Sequence, residues 1–129
     1  MKFEEIRKLL DARWLGCARG PEECGEAEVL TCQASDLMSD VLAGSGTGSL
    51  LLTGLTNAQV VRVAEMSDVA AICFVRGKSV QPEVVQLAEE RQIPLIVTPL
   101  SMFESCGLLY AGGLRAGAKK EVDSCRTRK

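Results

Sequence analysis

Six cysteines, at positions 17, 24, 32, 73, 106 and 125, and a complete lack of histidine bound the chemistry this chain offers. Without histidine, no side chain titrates near neutrality at its ordinary pKa, so a general base would need a strongly shifted group. Cys17, Cys24 and Cys32 are separated by six and seven residues with no C-x-x-C pair, a spacing too loose for a zinc or iron–sulfur site. No metal and no cofactor are expected. The start of the chain, Met1 to Lys8, mixes both charge signs and leads into no apolar signal core. On that reading the chain is cytoplasmic and its cysteines are free thiols. Cys73 lies in the apolar run 70–75 and reads as core. Cys106 would be reactive beside a helix N-terminus or a cation, and a packing residue otherwise. Asp36 and Asp40 stand at helical i, i+4 spacing, which presents either two carboxylates to a ligand or a solvated face. Gly44-Ser45-Gly46-Thr47-Gly48-Ser49 lacks the lysine of a phosphate loop and precedes a strand rather than a helix. No catalytic residue is assigned.

The elements that must position these groups alternate. Phe3, Ile6, Leu9 and Leu10 share one face of a first helix over 3–13. Trp14 to Cys17 starts a short strand, and 20–25 reads as a loop rich in turn residues. Strands are predicted at 27–32, 49–53, 70–75 and 93–98. The helices between and after them begin near Leu37 and Asn57, then cover 81–92 and 102–114. Ser35 or Asp36 is the expected cap of the first of these, and Asn57 of the second. Strands that are apolar without alternation, each separated by a helix, predict a three-layer α/β/α fold with a mainly parallel central sheet. One domain over 1–114 is expected, followed by a basic, flexible tail over 115–129.

In such sheets ligands gather at the carboxyl ends of the strands. That rim carries Ser35 and Asp36, then Thr53, then Arg76 and Gly77 with Lys78, then Thr98 and Ser101. Hydroxyls, amides and cations there suit a phosphate or carboxylate. Each Ser, Asp and Asn at a helix start is equally a cap, which a helix needs with no ligand present.

The segments 73–77, 81–90 and 93–101, with Ala34 to Val41 and Leu51 to Gly54, resemble the DRTGG domain family over about residues 2–114. They are similar to the N-terminal domain of HPr kinase/phosphorylase. The family's Thr-Gly-Gly position reads Val75-Arg76-Gly77. The resemblance implies an α/β module for dimerisation and regulation, found beside catalytic domains and nucleotide-sensing CBS modules. For stand-alone members it implies association with hydrogenase and other redox systems. It implies no kinase activity, because the phosphate-binding loop of HPr kinase belongs to a domain outside the resemblance.

A net charge of −2 and 4% aromatic content give neither the positive field nor the stacking platforms of a nucleic-acid binder. No apolar stretch approaches a membrane span. The expectation is a non-catalytic regulatory or adaptor domain that homodimerises and binds a small anionic, phosphate- or nucleotide-like ligand. Its protein partner would be a redox enzyme or a kinase-like protein. Met102, Phe103, Leu108, Leu109 and Tyr110 are the candidate dimer contact. The alternative is a small enzyme, phosphotransferase-related or thiol-based, using Cys106 or the N-terminal cysteines.

Overall fold

The structure, a computed structural model, describes residues 1–44 and 46–117. The predicted tail therefore lies outside the described residues from position 118 onward. Five strands form one sheet in the order β1-β5-β4-β3-β2. They are β1 (Arg13–Gly16), β2 (Thr31–Ala34), β3 (Ser49–Thr53), β4 (Ala71–Phe74) and β5 (Leu95–Val97). β2 to β5 pair in parallel as successive neighbours, while β1 joins the β5 edge antiparallel, with Arg13 opposite Val97.

This order decides where the helices go. Right-handed crossovers between successive neighbours, all advancing in one direction, stack their helices on one face. α3 (Met38–Ala43), α4 (Ala58–Met66) and α5 (Pro82–Glu90) occupy that face. Val41, Val60, Val61, Val63, Ala64, Val84 and Ala88 pack there against Leu51, Ile72, Phe74, Leu95 and Val97. α1 (Phe3–Leu9) and α6 (Met102–Ala111) take the other face, where Phe3, Ile6, Leu10 and Leu109 meet Leu50, Leu52, Cys73 and Ile96. Every residue of β3 and β4 is buried. That explains their unalternating sequence: both faces are covered.

Several expectations are corrected. Residues 20–25 hold a short helix, α2 (Pro21–Gly25), with Pro21 in its first turn and Glu22 and Glu23 beside its positive end. β2 begins at Thr31 rather than Ala27, because Val29 turns its amide to Met1 and Leu30 its amide to Gly48. Gly48, at φ 74°, accepts that bond where a Cβ would strike Leu30 at 2.9 Å, so glycine at this position is a packing requirement. α3 is capped by Leu37 without a side-chain bond, and Asp36 lies outside it, so Asp36 and Asp40 do not form an i, i+4 helical pair. The expectation of six free thiols fails at two positions, since Cys17 and Cys24 are disulfide-bonded.

Other expectations hold. Asn57 caps α4 by accepting from the Val60 amide at 3.2 Å, and Ser101 closes a capping box with Glu104 on α6. Past α6, the Cys32 amide donates to the Arg115 carbonyl, laying the first tail residues along the outer edge of β2.

Candidate functional site

α5 follows β4 onto one face of the sheet and α6 follows β5 onto the other. Adjacent strands whose connections part to opposite faces form the switch point of an α/β sheet, where a crevice opens at the carboxyl ends. Here it lies between β4 and β5. The loop Val75–Lys78 forms one side and Thr98–Ser101 the other, tied by Arg76 N–H to Leu100 O and Gly77 N–H to Thr98 O, each at 2.8 Å. Both bonds need consecutive left-handed residues, Arg76 at φ 67° and Gly77 at φ 61°. Arginine tolerates that conformation at a cost of about 1–2 kcal/mol.

The antiparallel β1 brings two further residues to this spot. Asp11 and Arg13, with Gly77, Val97 and Pro99, line a cleft of about 270 Å³. Arg13, Arg76 and Lys78 are exposed, and none joins an ion pair among the described residues. Sequence reasoning missed Asp11 and Arg13. The signal was a charged residue immediately before Trp14, but nothing in the pattern says which sheet edge that strand joins, or in which direction.

The rest of the predicted rim is spent internally. The Asp36 carboxylate accepts from the Thr53 hydroxyl at 2.9 Å and the Gly54 amide at 2.7 Å. Thr53 is fully buried. Thr98 is also fully buried; its hydroxyl donates to the Leu10 carbonyl and accepts from the Leu100 amide. Ser35 bonds locally to Leu37, and Ser101 to Glu104. The structure thus brings Gly77 to the cleft, with Arg76 next to it in the same loop, and employs Ser35, Asp36, Thr53, Thr98 and Ser101 in holding loops and helix starts. Of the candidate contact residues on α6, Phe103 is 88% exposed and Tyr110 62%, with Arg115 stacked on the Tyr110 ring. Leu109 turns inward to the core and Met102 is half-buried, so neither offers a free surface.

A larger cleft, about 510 Å³, lies elsewhere, between α1, α2 and Trp14. Glu4, Glu22 and Glu26 line it and repel an anion. A third, of about 160 Å³, sits between β2 and α6 with Cys32 and Cys106 in its wall. Burial pushes the Cys32 thiol up to about 12, with Cys106 adding to it, and burial also raises Cys106. Cys73 is pushed to about 12, again chiefly by burial. These groups stay protonated at neutral pH, and a thiol is a poor nucleophile. Among the described residues no grouping of three metal-ligating side chains occurs, and no helix is long and apolar enough to cross a membrane.

The described fold is similar to a crystal structure of the CBS and DRTGG domains of the regulatory region of Clostridium perfringens pyrophosphatase, complexed with its activator diadenosine tetraphosphate. The TM-score is 0.66 at 18% identity, over 84% of this chain and 45% of that one, so this chain spans less than half of that regulatory region. At that identity the likeness shows the fold alone. No family model matches the sequence, and no curated protein matches it.

Proposed function

We propose that this chain is a non-catalytic regulatory domain that binds a small anionic, phosphate- or nucleotide-like ligand at the β4–β5 crevice. What supports the reading is Arg13, which lines the cleft, and Arg76, next to its wall residue Gly77, two exposed guanidinium groups with no ion-pair partner among the described residues, beside the point where the β4 and β5 crossovers diverge. A guanidinium fork matches phosphate and carboxylate oxygens. The fold neighbour is a regulatory region bound to a nucleotide activator, which supports the same class of role here. Self-association through the outer face of α6 belongs to the proposal. Phe103, Leu108 and Tyr110 leave apolar surface on a helix whose inner face is already satisfied by Ser105 and Leu109. A protein partner, a redox enzyme or a kinase-like protein, would be what such a domain regulates. The thiol-enzyme alternative has less support, since burial holds Cys32, Cys73 and Cys106 as thiols.

A thermal-shift series with inorganic phosphate, ATP and diadenosine tetraphosphate tests the ligand. At 100 times its dissociation constant a ligand adds about 2.7 kcal/mol, a rise of several degrees for a domain of this size. The shift should vanish in the double variant Arg13→Ala, Arg76→Ala. No shift with any of the three probes, or an equal shift in the variant, removes the crevice reading. Light scattering tests the dimer: a Phe103→Asp protein should be monomeric where the parent is dimeric, and a monomeric parent ends that part.

A further inference from the structure

The Cys17–Cys24 bond joins the loop after β1 to α2, across a Cα–Cα distance of 6.6 Å. α2 has little else to hold it. At five residues it is far below the length at which a helix persists by itself. It has no side-chain N-cap, and of its residues only Cys24 and Gly25 are buried. Its salt links, Arg19 to Glu23 at 3.4 Å and Lys2 to the following Glu26 at 2.8 Å, join exposed groups and count for little. Yet α2 forms a wall of the cleft of about 510 Å³, where Pro21, Glu22 and Gly25 face Trp14, the chain's single tryptophan.

We propose that Cys17 and Cys24 form a thiol–disulfide switch that docks α2 against α1 and β1 when oxidised and releases it when reduced, remodelling the cleft beside Trp14. This rests on the cross-link and on the weak hold of α2, and is independent of the crevice reading. Cys17 is half-exposed and Cys24 is buried at 7% exposure, so an incoming thiolate meets the Cys17 sulfur first. Attack there by one thiol of a low-molecular-weight dithiol breaks the S–S bond and forms a mixed disulfide. Cys24 leaves as thiolate and takes up a proton. The second thiol of the reductant then displaces Cys17, which is protonated in turn. Two electrons and two protons pass to the protein, and the reductant becomes a cyclic disulfide. An oxidised low-molecular-weight disulfide runs the sequence backwards. Cys32, half-buried, and Cys73, buried, are both held as thiols and are poor nucleophiles for intercepting the exchange.

The full chain, as prepared without reductant and after dithiothreitol, supplies the test. Differential alkylation with mass spectrometry should show two thiols gained on reduction, at Cys17 and Cys24. Trp14 emission should move to the red, and trypsin should cut after Arg19 roughly tenfold faster, because cleavage tracks local opening. Oxidised glutathione should restore the starting state. A Cys17→Ser, Cys24→Ser protein should behave as the reduced form under either condition. If it does not fold, the reversible titration of the parent chain decides alone. Identical emission and identical cleavage in both redox states would leave a static staple and overturn the switch. Full alkylation of Cys17 and Cys24 before any reductant is added, with no pairing by oxidised glutathione, would overturn the bond itself.

Discussion

The two halves of the strand-end rim carry similar residue types and do different work. At the β2–β3 half, both connections lead to helices on the same face, and the polar groups close on one another: Asp36 holds the Thr53 hydroxyl and the Gly54 amide. At the β4–β5 half the connections part, the loops are joined by two backbone bonds, and Arg13 and Arg76 have no ion-pair partner among the described residues. Whether a rim residue is free for a ligand thus depends on where the crossovers diverge, more than on whether it is a hydroxyl, a carboxylate or a cation.

Substitutions should separate the halves. The largest stability effect belongs to Asp36→Ala, which removes a charged acceptor from two donors, one of them on a fully buried threonine. A loss of about 1.5–3 kcal/mol is expected in chemical denaturation. The ligand-induced thermal shift should be retained; its disappearance would break the division between halves.

Alkaline pH should act next, on the thiols rather than on either half of the rim. Cys32 and Cys73 have folded pKa values raised from 9.0 to about 12 by burial. Above pH 9 the unfolded chain loses these protons while the folded one keeps them. Their contribution is therefore complete below about pH 9 and lost as the pH climbs towards 12. The midpoint of thermal unfolding should fall across that window, and a flat profile would remove the burial argument.

Gly77→Ala should cost about 1 kcal/mol, because φ is 61° while an added Cβ would meet nothing closer than Pro99 at 3.9 Å. The smallest effect on stability falls on Arg13→Ala and Arg76→Ala, each within about 0.5 kcal/mol. A larger loss in either would mean the cation has a structural role and is not free for a ligand.

Much of this frame was legible in the sequence. The unalternating runs 49–53 and 70–75 announced buried parallel strands, and Asn57, Pro82 and Ser101 marked helix starts correctly. What was not legible depends on contacts distant in sequence. Arg13 and Asp11 reach the crevice only because β1 runs antiparallel at the β5 edge, and a four-residue strand carries no sign of its partner. The disulfide was missed for a similar reason. Cys17 and Cys24 meet because residues 21–25 coil, and a Gly-Pro start followed by two glutamates reads equally well as a turn. Thr53, Thr98 and Asp36 looked available because sequence shows a donor or acceptor without showing whether it is already engaged.

Amide chemical shifts followed by NMR as ATP or inorganic phosphate is added test the contrast between the halves most directly. Arg13, Arg76, Gly77 and Leu100 should move with a single saturable constant, while Asp36 and Gly54 stay still. Movement centred on Asp36 and Gly54, with the β4–β5 loops unchanged, would contradict the account.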